Sequence, residues 1–249
     1  MTQATPTPAR ELRRKALAEL ETTWPTLLAL TLVISLISFF AGLFSGIPLF
    51  SLVVSLLLSI PTMGILKGKL AHLRGTPLQF DCFSGMFPHW TKVICYELWV
   101  MLFTFLWMLP GLLPAFIGGV MGGVGLRDGS GDVSVAGVLI ALVGLVLMLV
   151  LLFRMTLNYM VSSCLLVDNP DMGGLVTLEK SKDMMRGNRW RFVKMNLPIF
   201  LMQLVLILLV VLLGDTWFAS LLYSVVSTAI AVLMAFFQPV FYRDLLGEG

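Results

Sequence analysis

The chain has 249 residues, 58% of them hydrophobic and 12% charged, with a net charge of +3 and a mean hydropathy of +0.93. A water-soluble domain carries about twice that charged fraction, because its surface has to meet water. Several apolar runs here reach the roughly 20 residues that cross a bilayer, so the composition excludes a soluble fold and points to an all-α, polytopic membrane helix bundle.

In chain order, residues 1–9 are rich in Thr and Pro and read as disordered. Residues 10–21, RELRRKALAELE, suit a helix with Leu12, Ala16 and Leu20 on one face. Residues 1–23 therefore form a cytoplasmic amphipathic lead-in, either lying along an anionic membrane surface or serving as a solvated charged approach to the first span. Residues 24–249 form a six-span membrane domain, with crossings at about 24–44, 49–66, 93–117, 135–160, 197–213 and 217–237. The first apolar run is too long for a signal-peptide core and lacks a small-residue cleavage site, so it should stay as a span.

Gly46-Ile47-Pro48 turns the chain from span 1 to span 2. In span 2, Pro61 is expected to kink the helix, with Ser59 and Thr62 helping to satisfy the freed backbone, and Gly64/Gly68 permits close helix approach. Residues 67–92 read as a surface-lying polar loop. Pro110-Gly111 and Pro114 should break or bend span 3. The glycine-dense 118–132, with Asp128, Ser130 and Asp132, resembles only the start of a calcium loop and reads as a flexible exposed loop. Span 4 is predominantly apolar from 135 to 167, about 50 Å if wholly helical, so it must protrude, tilt or break. Gly214-Asp215-Thr216 links spans 5 and 6, and Gln238-Pro239 ends the last span.

Charge placement sets the orientation. Arg10, Arg13, Arg14 and Lys15 precede span 1; Lys67, Lys69, Arg74 and Lys92 lie between spans 2 and 3. Lys180, Lys182, Arg186, Arg189, Arg191 and Lys194 lie between spans 4 and 5, and Arg243 follows span 6; only Arg127 falls on the other side. Six crossings bring the basic segments to one face, which the positive-inside rule makes cytoplasmic, with both termini there. Trp24, Trp90 and Trp190 then mark the inner interface and Trp217 the outer one. The three cysteines, Cys82, Cys95 and Cys164, lack metal-ligand spacing and face the reducing side, so free thiols are expected.

Two sets of residues invite function. The intramembrane polar groups are Glu97, Arg154, Asn158, Gln203 and Gln238. An unpaired arginine in hydrocarbon is costly, and Glu97 is the only acidic residue within a span, so an Arg154–Glu97 ion pair between spans 4 and 3 is expected, as a structural staple or as part of a cavity open to the cytoplasm. In the loop after span 4, Asn169 is a candidate helix cap, Pro170 a first helical residue and Gly187 a C-terminal stop. That helix would lay Leu175, Leu178 and Met185 on the interface and offer Lys182, Arg186, Arg189 and Arg191 to lipid phosphates or an acidic partner, unless the cations merely hold the loop inside. His72 and His89 lack a metal-ligating cluster, Ser162 and Ser163 read as packing hydroxyls, and Asp81, His89 and Asp168 are thin material for catalysis. No cofactor, metal or nucleic-acid partner is expected.

The segments RELRRKALAELETTW, LRGTPLQFDCFSGMFPHWTK with LWMLPGLLP, LNYMVSSCLLVDNPD with SKDMMRGNRWRF, and FYRDLL resemble bacterial integral membrane proteins of the domain-of-unknown-function family 975. The resemblance spans nearly the whole chain and is most specific from DNPD to MRGNRWRF. It implies a six-span inner-membrane protein and no particular activity. A more distant similarity is to the membrane domain of some glycerophosphodiester phosphodiesterases; their hydrolase domain has no counterpart in these residues, so that activity is not expected. The apolar stretch before DNPD departs from a more tyrosine-rich family pattern, so the resemblance carries no role over to Tyr159. The resulting expectation is a non-enzymatic module binding anionic membrane lipids or a protein partner through a basic cytoplasmic face. The alternatives are a small permease or peptide-immunity protein using broken spans 3 and 4, or a lipid-modifying enzyme.

Overall fold

The computed structural model describes residues 7–42, 48–214 and 217–247. In chain order the helices are α1 (Ala9–Gly42), α2 (Pro48–Leu73), α3 (Trp90–Arg127), α4 (Gly131–Tyr159), α5 (Ser162–Asp168), α6 (Gly174–Met184), α7 (Arg189–Leu213), α8 (Trp217–Leu233) and α9 (Phe237–Leu246). Two short 3-10 turns, Phe80–Ser84 and Phe87–His89, lie between α2 and α3. No strand occurs among the described residues, and six of the helical stretches are long and apolar enough to cross a membrane. The Gly46-Ile47 turn, the Asp215-Thr216 link, most of the Thr/Pro-rich start and the side chain of Trp217 lie outside the described residues.

The lead-in and the first span are one helix, which runs through Pro25 without interruption. The face predicted from Leu12, Ala16 and Leu20 is buried, but against protein, where it joins the main hydrophobic cluster, and not along lipid. In α2 the hydroxyls of Ser59 and Thr62 donate to the carbonyls of Leu56 (2.7 Å) and Leu58 (2.8 Å), which flank the Leu57 carbonyl that Pro61 leaves without a donor. Gly64 and Gly68 do receive a close neighbour, but it is the 3-10 turn, through the Cys82 and Phe83 carbonyls and the Cys82 side chain, and not another helix.

Span 3 differs from its sequence reading. Pro110 and Pro114 sit inside α3, which stays helical from Trp90 to Arg127. In an apolar solvent a broken helix strands its backbone groups, so two prolines do not suffice to end it. Of the glycines read as a loop, those from Gly118 to Gly125 belong to that helix, while Gly129 lies in the turn after it and Gly131 starts α4. A Cβ on Gly118 would lie 2.3 Å from the Ala141 nitrogen, and one on Gly137 2.2 Å from the Gly122 nitrogen. One on Gly144 would lie 2.3 Å from the Ala115 nitrogen. Helices α3 and α4 are thus an antiparallel hairpin in backbone contact, the arrangement that small residues permit where lipid offers no hydrophobic drive to association. The hairpin meets the other elements at its base, through α2, α6 and the second 3-10 turn, while its outer faces carry exposed Leu, Val and Phe.

The principal core is assembled at the basic end. There the first turns of α1, the last of α2, the 3-10 turns, α5, α6, the start of α7 and α9 bury a shared set including Leu12, Leu70, Met86, Leu178, Phe192 and Phe241. Helix α5 lies at its centre, with Cys164, Leu165, Leu166 and Val167 all buried. We call this assembly the cap.

Candidate functional site

The cap is organised around the end of span 4. Helix α4 stops at Tyr159 and α5 starts at Ser162, so the break lies beyond Arg154. Ending a helix frees carbonyls that need donors, and three consecutive ones find them on three elements. Ser181 Oγ of α6 donates to the Asn158 carbonyl (3.0 Å), Ser162 Oγ of α5 to that of Tyr159 (2.6 Å), and Gln238 Nε2 of α9 to that of Met160 (2.6 Å). Gln238 also donates to Ser163 Oγ at 2.6 Å, and Tyr96 on α3 lies 2.6 Å from Ser162 Oγ. Irregular backbone at a membrane edge must be buried or line a cavity; here Val161 is fully buried. The serines read as packing hydroxyls therefore hold the break.

A second layer of polar contacts closes the cap through Tyr242, Arg243 and Asp244 of α9. Asp168, the last residue of α5, takes a bidentate pair from Arg74 (2.5 and 2.9 Å) and the Tyr242 hydroxyl (3.2 Å). Arg243 donates to the Leu73 carbonyl, one of the groups left open by the end of α2. Asp244 accepts from Arg191 of α7 and from Thr7, so the two described ends of the chain meet. Arg191 also donates to Asn188 Oδ1 (3.2 Å) and lies over the Phe241 ring. No periodicity in the sequence announces the hydrogen bonds onto Asp168, Leu73 and Asp244, since they join residues 53 to 237 apart.

The predicted polar set is dispersed. The hairpin register, marked by Thr104 Oγ1 donating to Met155 Sδ at 3.7 Å and by the Tyr96–Ser162 pair, sets Arg154 level with Phe105 and Glu97 level with Ser162. The two charges are thus about 12 Å apart along the axis. No Arg154–Glu97 ion pair forms among the described residues, and Arg154 is exposed. Asn158 is buried beside the break, Gln238 holds the break, and Gln203 joins α7 to α8 through the Tyr223 hydroxyl at 3.5 Å.

The loop after span 4 is corrected at its helix start and on its packing face. Asn169 caps the end of α5, and the next helix starts at Gly174 with Gly173 as its cap, so Pro170 lies in the turn between. Gly187 takes a positive φ of 87° in the turn from α6 to α7. The buried face of α6, with Leu178 and Met185, packs into the cap, and only Leu175 of the predicted face is exposed. Of the predicted phosphate-binding cations, Arg191 is committed to Asp244. Arg189 is half-buried, whereas Lys182 and Arg186 are exposed with no ion pair among the described residues. Trp24, Trp90 and Trp190 are exposed at this same end.

Two clefts open on the cap. One of about 360 Å³ lies between α1, α2 and α9, lined by Lys15, Glu19, Leu73 and Arg243 among others. The other, about 340 Å³, lies between α2 and the first 3-10 turn. The second is lined by Lys67, Asp81 and Cys82 among others, and among the described residues no group of three His, Cys, Asp or Glu side chains could hold a metal. The cysteines are free.

Over residues 1–248 the sequence matches the family model described as protein of unknown function (DUF975). The more distant likeness to phosphodiesterase membrane domains is not shown by these comparisons. No curated protein and no solved structure matches the chain.

Proposed function

The chain belongs to the DUF975 family over its whole length, and from that premise we propose that it is a non-enzymatic module of the bacterial inner membrane, its cap on the cytoplasmic face gripping anionic phospholipid headgroups. Helix lengths support a common hydrocarbon boundary beneath the cap. Trp24 to Gly42 of α1 and Leu66 back to Pro48 of α2 each span about 27 Å. Phe105 to Arg127 of α3 and Asp132 to Arg154 of α4 each span about 33 Å, and Lys194 to Gly214 of α7 about 30 Å. Each is close to the roughly 30 Å of a bilayer core. Arg154 then stands at the boundary and Glu97 beyond it, so neither charge has to be buried in hydrocarbon. The excess of Lys and Arg at the cap, against Arg127 at the other end, supports the cytoplasmic assignment.

One observation carries the lipid reading. Arg74, Arg191 and Arg243 are occupied inside the cap, while Arg154, Lys182, Arg186 and Lys194 point outward at the end that also exposes Trp24 and Trp190. Cations and tryptophans together are the furniture of a headgroup layer, and each such cation adds about 1 kcal/mol toward anionic lipid. The purified chain is expected to retain phosphatidylglycerol over phosphatidylcholine from mixed micelles. Lys182→Glu with Arg186→Glu should cut that enrichment severalfold and remove most of its salt sensitivity. An unchanged enrichment in the double variant, or none in the native chain, would refute the reading.

A further inference from the structure

Helix α7 carries a stripe that combines all three parts of a phospholipid site. Pro198, Leu201, Met202, Val205 and Leu209 face Leu222, Val226 and Ile230 of α8 across an apolar groove of about 450 Å³. Its floor is Leu206 and Ile230, both buried, and its rim is open, with Val205 64% exposed. Four residues before Pro198 on the same face stands Lys194, exposed and without an ion pair among the described residues. Four residues before that is Trp190, 73% exposed.

We infer that this stripe is a specific site for one anionic glycerophospholipid, an inference that rests on the lipid-binding reading above. The phosphate pairs with Lys194, the headgroup beyond it lies against Trp190, and one acyl chain fills the groove. Groove length fits a lipid chain. Among the described residues it runs about 16 Å from Pro198 to Leu209, roughly half the hydrocarbon thickness and enough for the depth of one leaflet. Charge favours an anionic lipid, since a cation crowns the groove and no acidic residue lies on this face of α7.

Native mass spectrometry of the full chain, released from micelles containing equal phosphatidylglycerol and phosphatidylcholine, tests it. One phosphatidylglycerol per chain should survive conditions that strip the rest. Lys194→Gln should lower its occupancy about fivefold, Lys194→Arg should keep it, and Val205→Trp, which fills the groove from an exposed position, should abolish it. Lys182→Glu with Arg186→Glu should reduce the loosely held lipid and leave the last one bound. If Lys194→Gln and Val205→Trp both keep that lipid, the site is refuted while the broader reading stands. If no form prefers phosphatidylglycerol, both fail together. If Val205→Trp instead converts a dimer to a monomer without changing lipid, the groove seats a second copy and the inference is overturned.

Discussion

Asp244→Ala is expected to lower the melting temperature of the detergent-purified chain by roughly 10 °C. The carboxylate accepts from Arg191 and Thr7, and both side chains of the ion pair are largely buried, 16% exposed for Arg191 and 6% for Asp244. Removing one partner leaves the other charge in a poor solvent, which costs about 3–5 kcal/mol, a large share of the roughly 5–15 kcal/mol that holds a typical domain together. The guanidinium cannot swing away to water freely, because it is also held by Asn188 and lies over Phe241. Asp244→Asn, which keeps an acceptor, should lose less. Asp244→Ala combined with Arg191→Met should recover part of the loss, since the orphaned charge is gone. A single-variant melting temperature within a degree or two of native would show that the closure by α9 does not hold the cap.

The second large effect is expected in the hairpin. A side chain at Gly137 meets the Gly122 nitrogen at 2.2 Å, the Gly122 Cα at 2.6 Å and the Gly118 carbonyl oxygen at 2.8 Å. These are backbone atoms and cannot rotate aside, so Gly137→Leu must drive the two helices apart along much of their length. In lipid, close packing is most of what joins such helices, and beyond its base the hairpin has little else to lean on. The yield of monodisperse protein in mild detergent should fall severalfold. Gly123→Leu on α3 provides the internal control: nothing lies within 4 Å of a Cβ there, so its yield should match the native chain. Equal losses at the two positions would mean that apolar bulk, and not the backbone contact, is responsible.

What the sequence made legible follows from solvent. Six apolar segments and a one-sided distribution of Lys and Arg are written in composition, and no tertiary knowledge is needed to find them. The buried face of Leu12, Ala16 and Leu20 was also readable from its spacing, although the spacing does not say whether lipid or protein covers it. Proline and glycine misled for a physical reason. Pro110 and Pro114 would end a helix in water, where freed backbone groups find other partners, but not where lipid surrounds them. Gly118, Gly122 and Gly125 look like a loop when read alone; their spacing of four and three, matched by Gly137 and Gly144 on the next span, is the signal that identifies a helix seam. The Arg154–Glu97 pairing followed from charge alone and fails on register, which only the hairpin's geometry supplies. The same is true of Arg191, whose partner Asp244 lies 53 residues away.

The cap and the far hairpin turn are expected to lie in different water compartments, with the cap in the cytosol. In a chain with Cys82, Cys95 and Cys164 replaced by alanine, single cysteines at Ser130→Cys and Lys182→Cys can be exposed to a membrane-impermeant maleimide in intact bacterial cells. Labelling of the first in intact cells, and of the second only after the membrane is opened, is the predicted result. Labelling of Lys182→Cys in intact cells, or of both positions from the same side, would contradict it.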